Sequence, residues 1–187
     1  MVELGTLMPD FHLPDVSTGD VVSSEDFEGK EAVLVIFLCQ HCPYVRHVAD
    51  ELARIGKYYE GSELGIVAIS SNDAENYPED NPENLDDMGQ EYDFNFPILY
   101  DESQDVARDY TASCTPDFFL FNKKRELVYR GQLDDSRPDN GKAVTGKDLR
   151  EAIDKVLAGR NPDDKQIPSS GCSIKWKVGN EPPYYKG

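Results

Sequence analysis

The sequence predicts an α/β domain with a central mixed β-sheet flanked by helices, and three observations carry that prediction. The run Ala32-Val33-Leu34-Val35-Ile36-Phe37-Leu38 is continuously apolar and rich in β-branched residues, as a strand covered on both faces must be. Beyond a short polar junction, Val45, Val48, Ala49, Leu52, Ile55 and Tyr59 recur at helical spacing, and a second apolar run follows from Leu64 to Ile69. Strand, helix and strand in that order make a right-handed parallel crossover. Farther along, Asp117–Asn122 and Leu127–Leu133 flank the polar Lys123-Lys124-Arg125-Glu126, which is the pattern of an antiparallel hairpin.

The remaining elements fit around this sheet. Phe11, Leu13 and Val16, then Gly19-Asp20 and Val21-Val22, read as a compact N-terminal β-hairpin. The stretch from Ser71 to Pro82 is rich in Asn, Asp, Glu and Pro and reads as a surface loop. An inserted helix-strand segment follows: a helix bearing Leu85, Met88 and Tyr92, a short strand from Phe96 to Tyr100, and a helix with Val106, Ala107 and Tyr110 that Asp101 could cap. Asp134 to Val144 is a polar loop, after which Thr145 is placed to cap a last helix carrying Leu149, Ile153, Val156 and Leu157 and ended by Gly159. We therefore expect one domain over residues 1–159, with residues 160–187 as a Pro-containing tail packed on it.

Composition narrows the function. With 19 Lys plus Arg against 36 Asp plus Glu the net charge is -17, which argues against binding nucleic-acid phosphates. The acidic residues are dispersed, as on a solvated surface. The start of the chain lacks a basic n-region and an apolar h-region, and no apolar run reaches membrane length. A cytoplasmic protein with no membrane partner is expected. Four cysteines are too few for a disulfide scaffold, and in a cytosolic chain a disulfide is more often transient and catalytic than structural.

Two of those cysteines carry the chemistry. Cys39-Gln40-His41-Cys42 lies where the buried strand meets the helix, with Pro43 suited to the first helical turn. Helix N-terminal N–H groups stabilise a thiolate and draw a cysteine pKa from about 8.5 into a range of about 3.5 to 7.5. Cys39 is thus expected to be the exposed attacking thiolate and Cys42 the resolving thiol. His41 between them would favour the Cys39 thiolate when protonated and so tune the redox potential.

This junction resembles that of the thioredoxin superfamily, in its peroxiredoxin-like branch of AhpC/TSA-type redoxins. Pro9-Asp10-Phe11-His12-Leu13-Pro14, Phe37 to Val45 around the C-x-H-C site, and Thr115-Pro116-Asp117 carry the resemblance, which runs from about Gly5 to Gly159. It implies a thioredoxin fold and a cis-proline at Pro116, with the backbone of Thr115 facing Cys39 and open to an extended substrate by β-strand addition. The segment Ser169 to Lys177 resembles the C-terminal ending of the same branch. Two departures matter. Val33 and Leu38 stand where thioredoxins have a buried Asp and a Trp, leaving no proton acceptor assigned for Cys42. Peroxiredoxins carry Thr or Ser three residues before their reactive cysteine, whereas Ile36 precedes Cys39 and Cys39 precedes Cys42 at that spacing.

The function expected is therefore reversible thiol-disulfide exchange with a disulfide-containing protein or small-thiol substrate and a separate electron donor or acceptor, by a monomer or weak dimer. A thiol-dependent peroxidase working through Cys39 or Cys42 is the alternative enzyme. A metal chaperone or redox-inert binding module is the alternative of another class. Cys114, two residues before Pro116, reads as a buried small hydrophobe or an auxiliary thiol near the site. Cys172 reads as a relay to Cys39, a partner for Cys114, or an inert thiol in a docked tail. Cys39, His41, Cys42 and Cys114 are soft ligands, but without a second C-x-x-C no metal is expected, and no cofactor. His12 and His47 read as solvated side chains.

Overall fold

The computed structural model describes residues 2–187. Its centre is β3 (Ala32–Phe37), buried at every position, which pairs in parallel with β4 (Leu64–Ser70) and antiparallel with β7 (Asp117–Asn122). Before it come β1 (His12–Pro14) and β2 (Val21–Ser23), which form the expected N-terminal hairpin. With β5 (Ile98–Tyr100) beside β4 and β8 (Leu127–Tyr129) beside β7, the main sheet runs β5-β4-β3-β7-β8, parallel on one side of β3 and antiparallel on the other. This is the mixed sheet of a thioredoxin fold.

Alternation along β3 divides the core between the two faces. Leu34 and Ile36 pack with Val45, Leu52 and Ile55 of α1 (Pro43–Tyr58) and with Leu149 and Ile153 of α4 (Lys147–Leu157). Val33, Val35 and Phe37 pack with Tyr110 of α3 (Asp105–Tyr110), with Phe11 and with Ile174 of the tail. The remaining helix, α2 (Pro82–Glu91), contributes Leu85 and Met88 to the first of these faces. Among the described residues no helix is long and apolar enough to cross a membrane.

Three local departures from expectation share one cause: side chains and the tail take backbone partners that sequence pattern does not reveal. The strand expected to reach Leu133 stops at Tyr129 because the N–H groups of Arg130 and Gln132 are taken by Gln166 Oε1 and the Ile167 carbonyl, each at 2.7 Å. Gly146, not Thr145, stands at the N-cap of α4, at φ 65°, although the Thr145 hydroxyl accepts the N–H of Lys147 at 3.3 Å; the Asp134 carboxylate accepts the N–H groups of both Thr145 and Gly146 at 2.7 Å. Asp101 does reach α3, accepting from Val106 and Ala107 N–H, although Gln104 is the residue at the cap.

The acidic residues are accordingly not all surface charge. Glu51, Asp73, Asp80, Asp101, Asp117 and Asp134 are buried, and each is hydrogen-bonded or ion-paired. The Ser71–Pro82 stretch, expected as a surface loop, buries Ser71, Asn72, Asp73 and Asp80.

The tail adds a separate two-stranded ladder, β6 (Cys114–Thr115) with β9 (Cys172–Ser173), pairing Thr115 with Cys172 and Cys114 with Ser173. Leu34 lies fully buried between β3 and the α1/α4 layer. Leu34→Ala is expected to lower unfolding free energy by about 2–5 kcal/mol in urea titration, from lost burial plus the cavity left behind.

Candidate active site

Strand β3 ends at Phe37, and Leu38 to Cys42 then span the gap to α1, whose N-cap is Cys42 with Pro43 behind it. The sequence-based placement of Cys39 at the helix N-terminus is thus corrected: the second cysteine holds that position. Nor is Cys39 exposed; Cys39 and Cys42 retain 1% and 0% of their surface. Both sulfurs lie under the loop of Thr115 and Pro116, whose peptide bond is cis, as the resemblance implied.

Thr115 serves both cysteines. Its hydroxyl lies 3.4 Å from Cys39 Sγ, and its carbonyl accepts from the Cys42 thiol at 3.2 Å. The two sulfurs are also close enough that the ionisation of each acts on the other. Interaction with the Cys39 thiol draws Cys42 below the ordinary thiol value, while burial works the other way. That same interaction, burial and the nearby charge of Asp80 push Cys39 up. Such a pair titrates as a unit, losing a first proton easily and holding the second. The first proton of the pair is therefore held less tightly than that of an ordinary thiol. Thr115 suits a charge on Cys39, since its hydroxyl can donate to a Cys39 thiolate and its carbonyl can hold a Cys42 thiol.

Asp80 is the site residue that sequence reasoning missed. Completely buried, its Oδ1 accepts the N–H groups of Gln40 and His41 at 2.8 and 3.1 Å, and its Oδ2 accepts Asn72 Nδ2 at 2.9 Å and His41 Nδ1 at 2.5 Å. The His41 ring stacks on Tyr77, 5.9 Å between centroids and 7° from parallel. His41 is therefore clamped to a carboxylate whose charge opposes a Cys39 thiolate. No spacing in the chain announces Asp80. It reaches the cysteine loop because Phe37 pairs with Ile69, which sets the loops after β3 and β4 side by side.

Cys39, His41 and Asp80 place one ligand atom each within 4.8 Å of one another. With both Asp80 oxygens already accepting two donors apiece, the trio is built as a hydrogen-bonded clamp. His12 is exposed, as expected. His47 is not simply solvated, its Nε2 lying 3.1 Å from Ser136 Oγ.

The auxiliary cysteines separate. Neighbouring residues on a strand point to opposite faces, so Cys172, paired with Thr115, lies on the Thr115 face, and Cys114 lies on the other. A Cys114–Cys172 disulfide does not fit that register. Cys114 lines a groove of about 440 Å³ with Tyr44, Trp176 and Tyr184, and burial pushes its thiol up to about 12. Cys172 instead packs against the cluster holding Cys39 and Cys42 and is close enough to Cys42 to act on its ionisation. The strand edge of Thr115, expected to be open to substrate, is filled by β9.

Residues 4–130, well over half the chain, match the AhpC/TSA family. Two solved structures are similar over nearly the whole length. An uncharacterized conserved protein from Geobacillus kaustophilus shares 51% identity with a TM-score of 0.92, covering 95% of this chain and 94% of that one. A hypothetical protein from Sinorhizobium meliloti 1021 shares 46% with a TM-score of 0.94, covering 96% and 97%. The thioredoxin domain of a thiol-disulfide oxidoreductase from Bacteroides vulgatus shares the fold at 21% identity and a TM-score of 0.65, covering 84% of this chain and 99% of that one. No curated protein matches the chain.

The shared proton has a pH signature. A lowered thiol pKa means the thiolate is present above it and lost as pH falls through it, so thiolate absorbance of the reduced protein is expected to persist below the ordinary thiol range and to fall only with a midpoint in the acid range. Cys39→Ala, which removes the main influence lowering Cys42, is expected to move that midpoint upward. A wild-type midpoint at the ordinary thiol value would contradict the shared proton.

Proposed function

The chain belongs to the AhpC/TSA family, as a peroxiredoxin-like redoxin of the thioredoxin superfamily, and we propose that within it the protein is a thiol-disulfide oxidoreductase that exchanges disulfides through Cys39 and Cys42. The observation that carries this reading is the single residue Thr115 facing both sulfurs, hydroxyl toward Cys39 and carbonyl toward Cys42.

The steps follow from the hydrogen bonds. The Cys39 proton passes to Cys42, whose thiol then donates to the Thr115 carbonyl, while the Thr115 hydroxyl donates to the new Cys39 thiolate. Cys39 attacks one sulfur of a substrate disulfide, the substrate S–S bond breaks, and the first substrate thiolate leaves, taking up the Cys42 proton. The Cys42 thiolate attacks Cys39 in the mixed disulfide and expels the second substrate sulfur. The substrate gains two electrons, and the protein holds a Cys39–Cys42 disulfide until a separate thiol donor reduces it. Run backwards, the same steps oxidise a dithiol. Cys42 thus serves as base for Cys39 before it resolves. Asp80 and His41 act on this chemistry as positioning residues, holding the Gln40-His41 turn.

Peroxide reduction is the second reading, favoured by one observation: the Thr115 hydroxyl beside Cys39 supplies from another strand the donor missing three residues upstream.

Cys39→Ser is expected to abolish reduction of a small disulfide, and Cys42→Ser to accumulate a trapped mixed disulfide on Cys39, seen by intact mass. Full activity in Cys39→Ser would overturn the assignment. Fast sulfenate formation on mixing with hydrogen peroxide, outpacing disulfide exchange, would favour the peroxidase instead.

A further inference from the structure

We propose that Cys172 is a third exchange thiol, delivered by the tail strand onto Cys42, which moves the Cys39–Cys42 disulfide to Cys42–Cys172 and frees Cys39. This rests on the exchange reading above.

The tail is fixed on both sides of Cys172. Upstream, Ser169 Oγ donates to the Pro116 carbonyl at 2.6 Å. At Gly171 a Cβ atom would stand 1.9 Å from the Thr115 carbonyl oxygen, so glycine is the residue that lets β9 approach this closely. Downstream, Ile174 is buried in the second face of the core, and the N–H groups of Lys175 and Lys177 donate to Asn72 Oδ1 and Gln104 Oε1, each at 2.9 Å. Between these anchors the register sets Cys172 opposite Thr115, the residue whose carbonyl holds Cys42. The strand edge suited to an extended substrate is therefore occupied by a cysteine-bearing segment of the same chain.

The transfer needs no outside oxidant. Once the first cycle leaves a Cys39–Cys42 bond, Cys172 as thiolate attacks Cys42 Sγ, that bond breaks, and Cys39 departs as thiolate toward the Thr115 hydroxyl. One disulfide is lost and one gained, and the Cys172 proton ends in solvent or on Cys39. In the reduced protein burial and the contact with Cys42 push Cys172 up to about 11, which keeps it quiet. With Cys42 tied in a disulfide the opposing thiolate charge is gone, while Lys175 continues to favour the Cys172 thiolate.

Disulfide mapping tests this directly. The double variant Cys39→Ser, Cys114→Ala is oxidised with diamide, digested without reduction and analysed by mass spectrometry, beside Cys172→Ser treated in the same way. The expected result is loss of both remaining thiols in the double variant, with an intramolecular Cys42–Cys172 peptide, and a Cys39–Cys42 peptide in Cys172→Ser. If Cys42 and Cys172 stay free, or link only between chains, while Cys39–Cys42 forms in Cys172→Ser, the third-thiol inference is wrong and the exchange reading stands. Absence of Cys39–Cys42 from Cys172→Ser would sink the exchange reading itself. Adding Gly171→Ala to the double variant is expected to lose most of the Cys42–Cys172 peptide; an unchanged yield would overturn delivery by β9.

Discussion

Thr115 is where three distant parts of the chain meet. Its hydroxyl and carbonyl face the two sulfurs at the end of β3, its backbone pairs with β9, and the peptide that follows it is cis. The cysteines reach Thr115 because β7 is hydrogen-bonded to β3 with Asp117 opposite Phe37, so the loop before β7 lies over the loop after β3. Asp117, in turn, is buried against Arg130 and accepts the Ser113 N–H, bracing that loop from behind. A buried pair of this kind adds little net stability but is costly to break, which suits it to fixing a conformation.

Much of the fold was legible because strands buried on both faces leave an unmistakable apolar signature, and β3, β4 and β7 all have one. The redox junction was legible too, since C-x-x-C between such a strand and an amphipathic helix is a local pattern. What stayed hidden was tertiary. Asp80 sits in a polar, proline-containing stretch whose composition is that of a solvated loop, and only parallel pairing of β3 with β4 carries it to Gln40 and His41. The end of β8 was misjudged because Gln166 and Ile167 of the tail, not a strand neighbour, take the backbone donors of Arg130 and Gln132. The position of Cys172 depended in the same way on a two-residue ladder too short to show periodicity.

The excess of acidic residues gains a second meaning from the buried carboxylates. Asp80, Asp101 and Asp134 each collect backbone N–H groups that a loop or helix start would otherwise leave unpaired. Acidic side chains here do structural work that caps and turns do in other chains. Asp80 adds an electrostatic consequence: it organises the cysteine loop while discouraging a thiolate on Cys39. The same residue that builds the site thereby makes Cys39 harder to ionise.

A stabilised thiolate favours the reduced dithiol, and a pair that favours its reduced form is an oxidant. The most direct test is the reduction potential of the Cys39–Cys42 pair, measured at pH 7 in glutathione buffers on the Cys172→Ala protein so that one disulfide alone is read. The structure leads us to expect a value nearer the strongly oxidising end, about -120 mV, than the reducing end, about -270 mV. A value at the reducing end would contradict a pair whose first thiolate is stabilised.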